Sequence, residues 1–245
     1  MTGTQLLRPS IIVDGVRKSF TLNHAFSLKD TVVSWVRRRK LTSSFEALKG
    51  IDLVINEGEA VAILGLNGSG KSTLLKLVSG VMQPDGGQVL TRGRVAGLIE
   101  VGAGFHPELS GRENVFLNAA ILGMSRKEIE ARYEEIVAFS EIEQFIDQEV
   151  KHYSSGMFMR LAFSVAIHVQ LDVLLVDEIL SVGDAPFREK CRLKFQELIA
   201  ANKTLVVVSH DMEMVQELCT RGVVIHKGEV VFDGPVEDAI ARISG

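Results

Sequence analysis

The chain has 245 residues, of which 46% are hydrophobic, 24% charged and 6% aromatic. This composition is typical of a globular protein and excludes a disordered, fibrous or disulfide-framed chain. With 27 Lys and Arg against 31 Asp and Glu, the net charge of −4 argues against nucleic acid as a partner.

The cysteines and the apolar runs restrict the cellular setting. The two cysteines, Cys191 and Cys219, form no CxxC pair and predict neither a disulfide scaffold nor a zinc module. Apolar runs such as residues 173–176 are much shorter than the roughly 20 residues that cross a bilayer. The first residues, MTGTQLLRPS, lack the basic and apolar regions of a secretion signal. We therefore expect a protein of the reducing cytosol.

The hydrophobic period predicts strands that alternate with helices. Strand patterns occupy residues 11–20, 46–55 and 60–65, and two short ones lie within 88–100. Between 112 and 163 the period becomes helical, with a capping box at Ser125 and Glu128. Strands return at 173–176 and 204–209, each before a helix, and a β pair at 222–232 precedes a last helix at 236–243. This order predicts an α/β protein with a mostly parallel sheet and an inserted helical subdomain.

A glycine-rich loop joins a predicted strand at 60–64 to a predicted helix at 71–79. Residues 65–72 read Gly-Leu-Asn-Gly-Ser-Gly-Lys-Ser and match GxxxxGK[ST] in full. In such a loop, backbone N–H groups and the helix N-terminus face nucleotide phosphates. Lys71 would then bind the β- and γ-phosphates, and the Ser72 hydroxyl would bind Mg²⁺. The alternative is a glycine turn with a solvated lysine, which the strand and helix on either side of the loop disfavour. The predicted phosphate-binding residues are Gly65, Asn67, Gly68, Ser69, Gly70, Lys71, Ser72 and Thr73.

Two acids follow another predicted strand. Asp177 and Glu178 end the apolar run at 171–176, and the carboxyl end of a strand in a parallel sheet faces the ligand crevice. We predict that Asp177 holds the water shell of Mg²⁺ and that Glu178 is the general base for the attacking water. The alternative is a solvated Asp-Glu turn, which the complete phosphate loop disfavours.

A histidine follows the strand pattern at 204–209. His210 is predicted to contact the γ-phosphate and to sense its presence. The alternative is a structural histidine, which is the commoner role of a single histidine at a strand end. No metal-ligand spacing links the other histidines.

In this order, the motifs resemble the ATP-binding subunit of ABC transporters over nearly the whole chain. The resemblance rests on the Walker A loop at 65–72, a signature-like Tyr-Ser-Ser-Gly-Met at 153–157, Walker B ending at Asp177, Glu178, a D-loop-like Ser-Val-Gly-Asp at 181–184 and the switch histidine His210. It implies one ABC ATPase domain over 1–245 with a P-loop NTPase fold. That fold has a RecA-like, mostly parallel core at roughly 11–105 and 165–245, a small antiparallel β subdomain and a helical subdomain at roughly 106–164.

The resemblance also implies a site shared by two copies of the chain. In such transporters the ATP-binding subunits form a head-to-tail homodimer, and each ATP lies between the Walker A loop of one subunit and the signature of the other. Ser154 and Gly156 would thus complete the γ-phosphate site of the second copy, with Lys71, Glu178 and His210 as the catalytic residues.

Two departures from the family pattern indicate which branch of the family the chain resembles. The signature has Tyr-Ser-Ser-Gly-Met instead of Leu-Ser-Gly-Gly-Gln, and residues 98–114 lack the usual Q-loop glutamine. The place of that glutamine falls at Glu100 or Val101, so Glu100 is a candidate Mg²⁺ ligand. Both departures, with GAGFHPELSGREN and YSSGM, are similar to the branch that exports O-antigen, teichoic acid and related polysaccharides.

The aromatic residue that stacks on adenine has two candidates. Phe20 aligns best with the stacking position of the family, and Phe45, before the second strand, is the competitor. The alternative is that both phenylalanines only fill the small sheet. Stacking of a base on an aromatic ring contributes about 1–3 kcal/mol in nucleic-acid complexes.

Residues 27–40 read SLKDTVVSWVRRRK and form a basic, amphipathic insertion. The residues on its apolar helical face are Leu28, Val32, Trp35 and Val36, and its cations are Lys29, Arg37, Arg38, Arg39 and Lys40. We hypothesise that this segment engages the membrane surface or the lipid-pyrophosphate end of an exported molecule. The alternative is a surface helix that packs on its own sheet and leaves its basic end in water.

Together these features predict an ATPase that powers export of a lipid-linked polysaccharide from the cytoplasmic face of the membrane. A separate transmembrane permease would form the pore, and family topology places its coupling helix near residues 111–122. The alternatives are an ABC ATPase for an exported lipid or drug, a soluble ABC ATPase without a transport role, and a regulator that binds ATP without hydrolysing it.

Overall fold

The computed structural model describes residues 8–23, 42–98, 102–177 and 184–244. Its strands are β1 (Pro9–Asn23), β2 (Thr42–Asn56), β3 (Ala60–Leu64), β4 (Gly86–Thr91), β5 (Val95–Gly97), β6 (Val173–Asp177), β7 (Thr204–Val208), β8 (Arg221–His226) and β9 (Glu229–Pro235). Its helices are α1 (Lys71–Val78), α2 (Gly111–Ile121), α3 (Arg126–Ser140), α4 (Ser155–His168), α5 (Ala185–Ala200), α6 (Met212–Leu218) and α7 (Val236–Ser244). The predicted alternation of strands and helices is confirmed.

The larger sheet brings three candidate functional segments to one edge. Its strands run in the order β5-β6-β7-β3-β8-β9, and neighbours are parallel except β8 and β9. Strands β3 and β7 are buried at every position, which explains their continuous apolar sequences. Since the carboxyl ends of parallel strands meet at one edge, the loop after β3, Asp177 at the end of β6 and His210 beyond β7 all lie there.

A smaller antiparallel sheet, in the order β2-β1-β4, packs against the parallel sheet and α1. β1 and β2 pair as far as Asn23 and Thr42, beyond the strands predicted at 11–20 and 46–55. Of the residues in these outer pairs, Phe20, Thr21, Ser44 and Phe45 are exposed, so these four residues show no alternation of buried and exposed positions. Backbone pairing extends the hairpin as far as Asn23 and Thr42.

Helices α2, α3 and α4 surround a core of their own. The predicted capping box of Ser125 and Glu128 begins α3, and its predicted apolar face, which includes Ile129 and Ile136, is buried. Short 3₁₀ turns at Glu143–Phe145 and Val150–His152 separate α3 from α4. The helical pattern is therefore interrupted, where the sequence predicted a continuous block from 112 to 163.

Neither cysteine is placed for redox chemistry. Cys191 and Cys219 are buried free thiols, and burial raises the pKa of both to about 12. Both are therefore protonated and unreactive near neutral pH. Within the described ranges, no helix combines the length and apolar character needed to cross a membrane.

Candidate nucleotide-binding site

The loop between β3 and α1 requires glycine at two positions for steric reasons. Gly65 and Gly70 have φ angles of 145° and 113°. A Cβ atom would lie 2.2 Å from the Ile225 carbonyl oxygen at Gly65, and 2.8 Å from the Ala47 carbonyl oxygen at Gly70. Because these contacts are with backbone, neither position accepts a side chain without movement of a strand. The loop can therefore present its bare backbone to a ligand.

Helix α1 begins directly after the loop, and no side chain of its first turn caps its N–H groups or offsets its positive end. Its N-cap is Gly70, no side chain caps it, and no acidic residue lies in its first turn. The positive end of the helix dipole and the first N–H groups of α1 therefore point to a site that favours an anion. Asn67, Gly68 and Ser72 are exposed on this side of the loop.

The Lys71 side chain folds back across the loop. It is 7% exposed, and its Nζ donates hydrogen bonds to the Gly65 carbonyl oxygen at 2.8 Å and the Leu66 carbonyl oxygen at 3.1 Å. The ammonium group is thus held at the rim of the glycine loop, where a phosphate oxygen would be its strongest acceptor.

Ser69 supplies a second polar group to the interior of the loop. Its side chain is buried at 4% exposure, and its Oγ has no hydrogen-bond partner among the described residues. Its carbonyl oxygen accepts from the Gly228 N–H at 2.9 Å, which ties the loop to the turn between β8 and β9. A buried hydroxyl without a hydrogen-bond partner destabilises a protein. The Ser69 hydroxyl is therefore suited to donate a hydrogen bond to an oxygen of a ligand. The glycine loop, Lys71 and Ser69 therefore fit a phosphate chain.

The strand order places Asp177 and His210 at the same edge of the sheet as the glycine loop. Asp177 pairs with Val208 of β7, and β7 is the neighbour of β3, which leads into the loop. His210 is exposed just beyond β7, and Ser209 before it accepts a hydrogen bond from the Asp211 N–H at 3.0 Å. The sheet thus brings together the segments that carry Lys71, Asp177 and His210. Glu178 and Glu100, also predicted as site residues, lie outside the described residues.

The two candidates for adenine stacking are partners in one ladder. Phe20 of β1 lies directly opposite Phe45 of β2, and their side chains are 37% and 51% exposed. Two residues further along β2, Ala47 lies against Gly70 of the loop. The pair therefore lies on the strand segment that leads to the phosphate loop, with both residues partly exposed.

The signature-like residues form the exposed N-terminus of α4. Ser154 is its N-cap, and the Ser154 Oγ accepts from the Met157 N–H at 3.2 Å. Ser154 and Gly156 are exposed, and a Cβ atom at Gly156 would meet only the Ser154 Oγ, at 3.8 Å. With no acidic residue in the first turn, this helix end offers hydroxyl and backbone donors to a group outside the chain.

The similarity of the chain to known proteins shows its family. A family model described as ABC transporter matches residues 48–181, which is more than half of the chain. The chain belongs to the ABC transporter family. The match begins in β2, includes the glycine loop, the signature-like residues and Asp177, and confirms the resemblance to an ATP-binding subunit. As a member of this family, the protein is an ATPase whose nucleotide is ATP.

Relatives of this ABC ATPase are named for export systems. The O-antigen export system ATP-binding protein RfbB of Klebsiella pneumoniae is 43% identical over 238 residues, which cover 96% of this chain and 97% of that protein. The teichoic acids export ATP-binding protein TagH of Shouchella clausii is 40% identical over 236 residues, 96% of this chain and 65% of that protein. The chain thus spans nearly all of the first relative and about two thirds of the second.

Solved ABC cassettes share the fold. The cassette MJ0796, in a dimeric post-hydrolysis state bound to ADP and Pi, superposes with a TM-score of 0.72 and 24% identity over 92% of this chain and 98% of that one. An ATP-binding subunit of an ABC transporter gives a TM-score of 0.75 and 21% identity over 96% of this chain and 93% of that one. The predicted ABC-type α/β fold is confirmed.

One departure of this ABC protein from the usual signature has a structural cause. Tyr153 stands where Leu is usual, and the Tyr153 Oη donates to the Phe145 carbonyl oxygen at 2.9 Å. A Cβ atom at Gly111 would lie 2.1 Å from that Oη, so Tyr153 packs onto the glycine that begins α2. Burial raises the pKa of Tyr153 to about 12, so the ring remains neutral. Tyr153 therefore joins α4 to the start of α2 and to the 3₁₀ turn at Glu143–Phe145. The sequence did not indicate this role.

Proposed function

We propose that this protein hydrolyses ATP to power export of a lipid-linked polysaccharide through a separate permease, from the cytoplasmic face of the membrane. The observation that carries the proposal is the similarity to RfbB over nearly the full length of both chains. RfbB is named for O-antigen export, and TagH for export of teichoic acids. Both cargoes are cell-envelope glycans, which favours a glycan over a drug or a simple lipid.

The glycine loop would bind the phosphates of ATP. Its backbone N–H groups and the Lys71 ammonium would stabilise the negative charge of the β- and γ-phosphates, and the buried Ser69 hydroxyl would gain an acceptor. Asn67 and Thr73 complete this set. Phe20 is proposed to stack on adenine, and Phe45 opposite it could extend the same surface.

Ser72 and Asp177 would hold Mg²⁺, with Glu100 as a further ligand. A hydroxyl and carboxylates are oxygen donors of the type that Mg²⁺ prefers, and the bound ion would offset the charge of the phosphates. Glu178 is proposed to orient a water molecule and to accept its proton as it attacks the γ-phosphate. His210, beyond β7, would contact the γ-phosphate.

Two copies of the chain would enclose the nucleotide. The exposed N-terminus of α4, with Ser154 and Gly156, has the donors to complete a phosphate site but is built on a different element from the glycine loop. The solved cassette MJ0796 of the same fold is a dimer. We therefore propose a homodimer in which Ser154 and Gly156 of each copy meet the γ-phosphate bound by the other.

The basic insertion at 27–40 is proposed to engage the membrane surface. It lies outside the described residues, between the ends of β1 and β2, and the hairpin formed by these strands extends beyond their predicted ends. Replacing 27–40 with a Gly/Ser linker of equal length should abolish export and leave ATP binding unchanged. Export is measured as surface glycan on cells that lack the native gene and carry each variant, and ATP binding as a titration with purified protein.

A variant with three substitutions tests the positive charge of the insertion and leaves the rest of the segment in place. Alanine at Arg37, Arg38 and Arg39 should weaken binding to vesicles that contain anionic lipid by roughly 100-fold, at about 1 kcal/mol for each charge. The matched control replaces three exposed cations elsewhere, Arg126, Lys127 and Arg188, and should bind as the wild type does. Export that survives the linker would contradict the role of the insertion. Cells that keep their surface glycan without the gene would contradict the proposed export function.

A further inference from the structure

The turn between β8 and β9 packs against the glycine loop. It consists of Lys227 and Gly228, and the residues on either side of it, His226 and Glu229, pair with each other. The φ angles of Lys227 and Gly228 are 48° and 85°, as in the type I′ turn that favours glycine at its second position. Lys227 is exposed, as is usual at the tip of a hairpin, whereas Gly228 is buried. The backbone of Gly228 is therefore covered by another part of the chain.

Gly228 forms one backbone hydrogen bond to the glycine loop and another to β2. Its N–H donates to the Ser69 carbonyl oxygen at 2.9 Å, and its carbonyl oxygen accepts from the Lys49 N–H at 2.9 Å. Ser69 belongs to the glycine loop, and Lys49 belongs to β2. A single residue of the turn thus connects the loop to the smaller sheet.

A β-bulge in β2 lies at the same contact. The pairing of β1 with β2 changes register beside Ala47, which is the unpaired residue of the bulge. The Ala47 carbonyl oxygen would lie 2.8 Å from a Cβ atom at Gly70 and 2.6 Å from one at Gly228. On the other side of the loop, the Ile225 carbonyl oxygen of β8 crowds Gly65 in the same way. The loop is therefore held between β2 and the β8–β9 hairpin by contacts of backbone with backbone.

The bond from Gly228 fixes the direction of one peptide group of the loop. The Ser69 carbonyl and the Gly70 N–H belong to the same peptide group, and in a planar trans peptide they point in opposite directions. Because the Ser69 carbonyl oxygen points to Gly228, the Gly70 N–H points away from the turn. Gly70 is the N-cap of α1, so this N–H lies at the end of the helix that favours an anion.

We propose that Gly228 is a positioning residue for the nucleotide, which holds the peptide between Ser69 and Gly70 so that the Gly70 N–H meets a phosphate oxygen. The proposal rests on the proposed binding of ATP phosphates by the glycine loop. Gly228 acts on the shape of the loop within one chain and not on the attacking water. Its loss should therefore weaken nucleotide binding and leave kcat at saturating ATP close to that of the wild type.

The test is Gly228→Ala in the full-length protein. Alanine would place a Cβ atom 2.6 Å from the Ala47 carbonyl oxygen at an unfavourable φ, so the turn must move away from the loop. The Kd of MgADP, which is not hydrolysed, should rise about tenfold in a calorimetric titration, near the upper end of what one backbone hydrogen bond contributes. In a phosphate-release assay, kcat at saturating ATP should change less than twofold. A variant that is only less folded would instead bind fewer ADP molecules per chain, with an unchanged Kd.

The matched control is Gly123→Ala, which introduces the same backbone strain without crowding. Gly123 follows α2 with a φ of 89°, and a Cβ atom there would meet nothing within 4 Å. The control should be destabilised in a thermal melt because alanine disfavours this φ, and it should keep the Kd of the wild type for MgADP. A rise in Kd as large as that of Gly228→Ala would overturn the proposal, because strain far from the loop would then be sufficient.

A second variant decides the outcome if Gly228→Ala fails to fold. It replaces Lys227 and Gly228 with four glycines, which lengthens the turn without adding a Cβ atom, and it should also raise the Kd of MgADP. An unchanged Kd in the folded variants, with a wild type that binds MgADP, overturns the proposal. A wild type that binds no MgADP overturns the proposed role of the glycine loop first, and this inference with it.

Discussion

Replacing Lys71 with alanine should weaken ATP binding at least tenfold and abolish measurable hydrolysis. The Lys71 ammonium is the only side-chain cation that the described glycine loop brings to its own rim, bonded to the Gly65 and Leu66 carbonyl oxygens. A hydrogen bond between charged groups contributes about 1.5–3 kcal/mol, or roughly 10- to 150-fold in affinity. The loss in rate should be larger, because charge develops on the γ-phosphate oxygens in the transition state. Titration with ATP and a phosphate-release assay measure the two effects.

The matched control is Lys76→Ala on the same helix. Lys76 lies in the last turn of α1, where a cation complements the helix dipole by about 0.3–1 kcal/mol. That variant should lose a little stability and keep its affinity for ATP. Equal ATP binding by Lys71→Ala and the wild type would remove Lys71 from the site.

Replacing Glu178 with glutamine should leave ATP binding intact and slow hydrolysis by a factor of about 10² to 10⁴, the usual contribution of a general base. Glutamine keeps the size and polarity of the side chain but cannot accept the proton of the attacking water. With Mg²⁺ and ATP present, the slow variant should accumulate as a dimer, which size-exclusion chromatography with light scattering detects. The wild type should return to monomers as it hydrolyses ATP.

Glu237→Gln makes the same chemical change at the opposite edge of the sheet, where the Val236 N–H donates to the Thr220 carbonyl oxygen just before β8. Glu237 is exposed in the first turn of α7, and its loss should affect stability only slightly. Its rate of phosphate release should match that of the wild type. A normal rate in Glu178→Gln would show that another group accepts the proton.

The part of the fold that local sequence determines was predictable. The pattern GxxxxGK[ST] needs glycine where backbone crowds the loop, and the structure has such crowding at Gly65 and Gly70. Continuous apolar runs followed by polar residues predicted the strand ends at Asp177 and before His210, because a buried parallel strand is apolar on both faces. Ser110 and Glu113 form a capping box at the start of α2 with the same Ser-x-x-Glu spacing as Ser125 and Glu128, so the sequence also contains the signal for the start of α2.

The part that depends on contacts between distant residues was not predictable. The bond from Arg160 to Asp184 joins residues 24 apart, and nothing in the sequence around either residue indicates the other. Tyr153 is a departure from the family pattern in the sequence, and its structural role comes from contacts with distant residues, Gly111 and the Phe145 carbonyl oxygen. The choice between Phe20 and Phe45 came from alignment, whereas strand pairing places the two residues opposite each other.

The proposed function depends on a glycine loop that binds the phosphates of ATP, so titration calorimetry of the purified chain with ATP and Mg²⁺ tests it most directly. Glu178→Gln is used, because slow hydrolysis keeps the heat of reaction out of the signal. The prediction is saturable binding of one ATP for each chain, weakened at least tenfold in the Glu178→Gln, Lys71→Ala double variant. The absence of binding heat at both of two well-separated temperatures would contradict the proposed function, because the enthalpy of binding cannot be zero at both.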